Sequence, residues 1–126
     1  MSKEKFTLEY DMRNTPVPLL WSYLSTATGL GEWFADDARS SGKEMTFIWK
    51  KTEQKANITA IRSEKYVRFH WVDELDKSYF ELKIAVSDFS GEVQLIVTDF
   101  AEPDEVEGSK ELWNSQVETL QRILGC

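Results

Sequence analysis

Residues 93–124 have the sequence VQLIVTDFAEPDEVEGSKELWNSQVETLQRIL, and the spacing of apolar residues changes halfway along it. Val93, Leu95 and Val97 occupy every second position, which is typical of a strand with one buried face. After Pro103 the apolar residues recur three or four positions apart, as on one face of a helix. This apolar stripe consists of Leu112, Trp113, Val117, Leu120, Ile123 and Leu124. The stretch therefore predicts a last strand followed by one long C-terminal helix.

The same two-residue period occupies most of the chain before this stretch. Alternating segments lie at residues 45–50, 56–60, 67–71 and 80–86, with only short stretches between them. A parallel return needs a crossover of about a dozen residues or more, so these short connections predict antiparallel hairpins. Residues 36–42 are polar, and we expect them to form a loop.

The N-terminal part adds one strand and two short helices to the prediction. Alternation predicts a strand from the apolar set Phe6, Leu8, Tyr10 and Met12. Thr15 and Pro16 suit a helix start, and a second short helix is expected at residues 30–34. The predicted fold class is α+β, with a six-stranded antiparallel sheet, two short helices after the first strand and a long C-terminal helix.

Composition limits the class of protein. The 126 residues are 41% hydrophobic and carry a net charge of −7, which predicts one domain over residues 1–126 with a real core. The acidic balance argues against nucleic acid or an anionic membrane as partner. No secretion signal is visible at the N-terminus, and the single thiol of Cys126 suits a reducing compartment, so a cytoplasmic location is expected.

Aromatic residues are unusually frequent on the predicted inner face of the sheet. They either fill an ordinary core or line a cavity that admits an apolar small molecule, and the residues alone leave both interpretations open. The expected lining of such a cavity is Trp33, Phe47, Trp49, Phe69, Trp71 and Phe80, closed by Trp113 and Val117. Its polar groups would be Tyr10, Tyr23 and Asp99, although Asp99 also suits a cap at the end of its strand.

No motif for catalysis, a metal or a cofactor emerges from the sequence. One histidine and one cysteine cannot form a tetrahedral nitrogen and sulfur zinc site. Nothing in the spacing selects one serine as a nucleophile for His70, which the alternation places on the outer face of the sheet. Glu81 and Asp99 are predicted to lie on opposite faces, so they are not expected to act as an acid–base pair.

The order of elements resembles the helix-grip fold of the START-like superfamily, also called SRPBCC. The resemblance is carried by LWSYLS (20–25), LGEWF (30–34), FIW (47–49), FHW (69–71), YFEL (79–82), VTDF (97–100) and residues 112–124. Within the superfamily the chain is most similar to small bacterial proteins near the activator of the heat-shock chaperone ATPase. The resemblance implies a curved sheet that grips the C-terminal helix. The superfamily includes carriers, receptors, cyclases and co-chaperones, so it does not fix an activity.

Three functions follow as hypotheses. The first is a non-enzymatic binding module that shelters an apolar small molecule between the sheet and the C-terminal helix. The second is a protein-interaction module, either co-chaperone-like or homodimeric, that uses the acidic residues 102–107 or the outer row around Tyr66, Arg68 and His70. The third is an enzyme of the cyclase or hydratase type, for which Asp99 and Tyr10 are the candidate reactive groups.

Overall fold

The structure is a computed structural model that describes residues 2–126. Its single sheet contains seven antiparallel strands in the spatial order β1-β7-β6-β5-β4-β3-β2. The strands are β1 (Glu4–Asp11), β2 (Asp37–Ser41), β3 (Glu44–Trp49), β4 (Thr52–Arg62), β5 (Tyr66–Trp71), β6 (Phe80–Val86) and β7 (Val93–Ala101). The α+β class with an antiparallel sheet and a C-terminal helix is therefore confirmed.

Three α-helices accompany the sheet. α1 (Val17–Ser25) and α2 (Ala27–Trp33) follow β1, and α3 (Val106–Leu124) follows a short 3-10 turn after β7. The Thr26 hydroxyl accepts a hydrogen bond from the Gly29 N–H at 3.0 Å, which satisfies a free donor at the start of α2. Gly125 ends α3 in the left-handed conformation, with φ of 77°.

The predicted six-stranded sheet was wrong by one strand. Residues 36–42 were expected to be a loop, but Asp37–Ser41 forms the edge strand β2 and pairs with β3. The strand escaped detection because four of its five residues are exposed, so no apolar alternation marks it. Pairing satisfies its backbone on one side only, and Gly42 makes the turn to β3 with φ of 60°.

The core lies between the inner face of the sheet and the three helices, with Leu20 and Leu24 from α1 and Leu30 from α2 fully buried in it. Phe47 on β3, Phe69 on β5, Leu82 on β6 and Leu95 on β7 are fully buried, as their parity predicts. Helix α3 adds Trp113, Val117 and Leu120. β4 contains a register shift between Ile58 and Ala60, and such a bulge bends the strand locally. Among residues 2–126, no helix is both long enough and apolar enough to cross a membrane.

Candidate functional site

A cavity of about 410 Å³ lies between the first half of α3 and the neighbouring end of the sheet. Its walls come from α3, from strands β3 to β7, from the β5–β6 loop and from the residue that follows α2. The lining residues are Phe34, Trp49, Gln54, Trp71, Asp73, Glu74, Phe80, Asp99, Ser109, Leu112, Trp113 and Gln116. Five aromatic rings thus face one space together with a small number of polar groups.

Phe34 is the central ring of the cavity wall. It stacks on Phe80 with the ring centroids 5.2 Å apart and on Trp113 at 5.4 Å. It meets the edge of Trp49 at 5.4 Å, and Trp49 lies 6.1 Å from Trp71. These separations fall within the range in which aromatic pairs attract each other beyond their burial, so the wall is pre-formed.

Two hydrogen bonds to one backbone oxygen fix this wall. The indole N–H of Trp49 donates to the Phe34 carbonyl at 3.0 Å, and the Gln116 amide donates to the same oxygen at 2.8 Å. A carbonyl oxygen has two lone pairs, so it accepts both bonds. The end of α2 is therefore joined to β3 and to α3 at the cavity.

Asp99 is the charged group on the inner wall. One carboxylate oxygen accepts a hydrogen bond from the Trp113 indole at 2.8 Å, and the other accepts from the Phe100 backbone N–H at 2.7 Å. Burial raises the pKa of Asp99 above its usual value of 3.8, although both hydrogen bonds and the charge of Lys3 act in the opposite direction. Both hydrogen-bond donors are neutral groups.

The β5–β6 loop, residues 72–79, forms the rim of the cavity through Asp73 and Glu74. The ring of His70 supports this loop, because its Nδ1 lies 2.7 Å from the Ser78 carbonyl oxygen and its Nε2 lies 3.0 Å from the Glu74 carbonyl oxygen. Lys3 pairs with Glu74 at 2.9 Å from the other side. His70 therefore lies outside the inner face of the sheet, and its ring contacts the β5–β6 loop.

The structure separates the predicted lining residues into three groups. Those that line the cavity are Trp49, Trp71, Phe80, Asp99 and Trp113. Those packed in the closed core are Trp33, Phe47, Phe69 and Val117. The two tyrosines lie elsewhere: the Tyr10 hydroxyl donates to Asn114 at 2.7 Å, and the Tyr23 carbonyl accepts from the Trp33 indole at 2.8 Å. Burial raises the pKa of Tyr10 to about 12.

Sequence reasoning missed seven lining residues: Phe34, Gln54, Asp73, Glu74, Ser109, Leu112 and Gln116. Phe34 was recognisable as an aromatic residue next to Trp33, but helical spacing alone does not tell which of two adjacent rings reaches the cavity. The polar residues carry no signal, because a polar residue at a rim resembles any solvated residue.

The titratable side chains that line the cavity are Asp73, Glu74 and Asp99. Residues 2–126 hold no group of three His, Cys, Asp or Glu side chains that could bind a metal ion. Glu81 pairs with Arg68 at 2.8 Å, so it does not face Asp99. The cavity offers aromatic surface, one inner carboxylate, and amide and hydroxyl groups near its edge.

Comparison with known proteins supports the helix-grip architecture. A solution NMR structure from Bacteroides fragilis is 46% identical, with 98% of this chain and 92% of that chain covered and a TM-score of 0.69. The solution structure of the Aha1 dimer from Colwellia psychrerythraea is 13% identical over 96% of each chain, with a TM-score of 0.80. An uncharacterised Bacillus thuringiensis protein is 8% identical over 98% of this chain and 100% of its own, with a TM-score of 0.81.

At 13% and 8% identity, the Colwellia psychrerythraea and Bacillus thuringiensis structures show only that the fold is shared. No curated protein matches the chain. A protein-family model described as a START-like superfamily domain matches residues 1–126, which is the whole chain. The chain therefore belongs to the START-like superfamily.

Proposed function

We propose that this protein is a non-enzymatic binding module that shelters a small molecule with an apolar body between the sheet and α3. The observation that carries the proposal is the cavity of about 410 Å³ walled by Phe34, Trp49, Trp71, Phe80 and Trp113. Its volume falls within the range of about 300–1,000 Å³ that is typical of ligand pockets, and such pockets combine apolar walls with few polar groups.

The contacts within the wall support a binding site that is already formed in the absence of ligand. Trp49 and Gln116 both bond to the Phe34 carbonyl, so the rings are held before a ligand arrives. A rigid site loses less side-chain freedom on binding, which increases affinity. The polar groups support binding over catalysis, because Asp99 is bonded to neutral N–H groups and Tyr10 bonds to Asn114 outside the cavity lining.

Native mass spectrometry of freshly purified protein, followed by organic extraction, tests this proposal. We expect an added mass that disappears on extraction, or an apolar compound that raises the melting temperature of the extracted protein. Ser109 lines the cavity from α3, so S109F should fill the space and abolish both effects. S115F places the same ring on the exposed side of α3 and should bind like the wild type. A wild-type protein that neither carries nor responds to any apolar compound contradicts the proposal.

A homodimer is the second candidate, since the Aha1 structure from Colwellia psychrerythraea is described as a dimer. The outer row of the sheet, proposed above as an interface, is occupied by its own contacts. The Arg68 guanidinium donates to Glu81 at 2.8 and 3.1 Å and lies 3.9 Å from the centre of the Tyr79 ring. Light scattering across a concentration series separates the alternatives, because a constant monomer mass removes the homodimer.

A further inference from the structure

We infer that the ligand of the cavity is an organic cation, meaning a protonated amine or quaternary ammonium group on an apolar body. This inference rests on the proposed function, because it assigns a chemical class to the occupant of the same cavity. It follows from the kind of rings in the wall, from the sign of the charges that line it, and from the hydrogen bonds of Asp99, which come from neutral groups only.

The rings are of the kind that attracts cations. Three of the five aromatic side chains in the wall are tryptophans, namely Trp49, Trp71 and Trp113. The face of an indole carries more negative potential than the face of a benzene ring, and sites for quaternary ammonium groups are built from several such faces. An uncharged apolar ligand would be served equally well by phenylalanine or leucine.

The charges around the rings are all of one sign. Asp73, Glu74 and Asp99 line the cavity, and no lysine or arginine from the described residues does. Lys3 neutralises Glu74 at the rim through a contact of 2.9 Å, which leaves Asp73 and Asp99. An anionic ligand would be repelled by both carboxylates, whereas a cation would be attracted by both of them.

Asp99 in particular forms no ion pair with a lysine or arginine of the described residues, since Lys3, whose charge acts on it, pairs with Glu74 and Asp76 instead. Its two hydrogen bonds come from the Trp113 indole and the Phe100 backbone, and a carboxylate has about four acceptor directions. Lys3 offsets only part of the free energy that burial of this carboxylate costs, and a bound ammonium group would reduce the remaining cost. The Trp113 ring and the Asp99 carboxylate are already joined, so both can contact one ligand group.

Three probes with one skeleton test the inference: 4-phenylbutylamine, 4-phenyl-1-butanol and 4-phenylbutanoate. Calorimetry at low salt should show that the amine binds at least about tenfold more tightly than the alcohol, a difference of about 1.4 kcal/mol. The carboxylate should bind most weakly. The preference for the amine should shrink as salt is added, because salt screens the attraction to exposed Asp73.

The indole N–H resonances give a readout with an internal control. The five tryptophans of the chain include Trp21 and Trp33, which lie outside the cavity lining. In a two-dimensional nitrogen–proton spectrum, the amine should shift the signals of Trp49, Trp71 and Trp113 and leave the other two in place. Shifts confined to Trp21 or Trp33 would place the amine outside the cavity and overturn the inference.

Variants test which carboxylate of the cavity attracts the amine. D99N should reduce the affinity for the amine about tenfold and change the affinity for the alcohol much less, since it removes the negative charge and one hydrogen bond within the wall while nearly preserving the size of the side chain. D73N provides the same comparison at the exposed rim should D99N fail to fold, and D88N is the control in the distant β6–β7 turn. Equal or tighter binding of the alcohol overturns the cation inference and leaves the proposed function standing. Binding of none of the three probes also overturns the cation inference, and the proposed function falls with it only if native mass spectrometry finds no bound compound and no apolar compound raises the melting temperature.

Discussion

Asp99 illustrates at the scale of one residue how a site can lower the stability of its fold. Burial raises the pKa of Asp99 above 3.8, so the folded protein holds this proton more tightly than the unfolded chain does. The free energy of unfolding therefore decreases as pH rises from about 3.8 through the folded pKa, and each pKa unit corresponds to about 1.4 kcal/mol. Lys3, which pairs with Glu74 and Asp76, is the cation that partly offsets the penalty.

The D99N variant should lack this pH dependence. The difference in unfolding free energy, wild type minus D99N, should fall as pH is raised from 3.8 towards neutrality, although D99N loses one hydrogen bond at every pH. Urea unfolding at several pH values measures the difference. D88N, which removes a carboxylate from an exposed turn, should run parallel to the wild type. A wild-type-minus-D99N difference that stays constant over this interval would contradict the role assigned to Asp99.

His70 acts through the two carbonyl oxygens that its ring contacts in the β5–β6 loop. Replacing it with alanine should cost about 0.5–1.5 kcal/mol for each hydrogen bond lost and should loosen the loop before it affects the core. Amide hydrogen exchange should therefore accelerate in residues 72–79 and remain slow in β6 and β7. N57A is the matched control, since exposed Asn57 lies opposite His70 in the sheet. Unchanged exchange in the loop of H70A would show that the ring does not hold it.

At the scale of elements, the sequence predicts those strands that bury one face and fails for the one that does not. β5 and β6 alternate because Val67, Phe69 and Leu82 must enter the core, and that requirement is visible in the residue pattern. β2 pairs with β3 through backbone hydrogen bonds, which almost any residue except proline can form, so its five residues show no apolar alternation. An exposed edge strand that is held by backbone pairing therefore cannot be predicted from the pattern of apolar residues.

Gly29 permits the close contact between α1 and α2. A methyl group added there would overlap the Ser22 carbonyl oxygen and the Tyr23 backbone. We expect G29A to destabilise the protein by about 1–3 kcal/mol, as overpacking of a core does. Gly108 lies in exposed space in the first turn of α3, so G108A should stabilise the protein by about 0.5–1 kcal/mol. Thermal unfolding of both variants checks the prediction, and destabilisation of equal size in both would contradict it.

At the scale of the whole molecule, the sequence predicts which residues face inward but not how deep each one lies. Phe47 and Trp49 share one parity on β3, yet Phe47 is fully buried while Trp49 lines the cavity. The difference arises because Trp49 is the last residue of β3, at the end of the sheet where the cavity opens. Rim residues such as Gln116 depend on where α3 crosses the sheet, a long-range arrangement that local spacing cannot encode.

The pairing of β1 with β7 joins the first strand of the chain to the last one. Glu4 lies opposite Ala101 and Asp11 opposite Gln94, so β1 is an edge strand that lies beside β7, the last strand of the chain. β1 also contributes Phe6 to the core, and burying one such ring is worth about 1.5–3 kcal/mol. Without β1, the inner β7 residues Leu95 and Val97 would belong to an unprotected edge strand.

Removal of residues 1–11 should therefore abolish cooperative folding, since it removes the buried Phe6 ring together with the whole β1–β7 pairing from a domain whose total stability is typically only about 5–15 kcal/mol. Thermal unfolding followed by circular dichroism should show no sigmoidal transition, and the proton spectrum should lose its dispersion. Removal of residues 1–3 is the control, because it deletes the Lys3 ion pairs and leaves β1 intact. A cooperative transition in the longer truncation would mean that six strands and α3 suffice for the fold, and that β1 serves only to cover an edge.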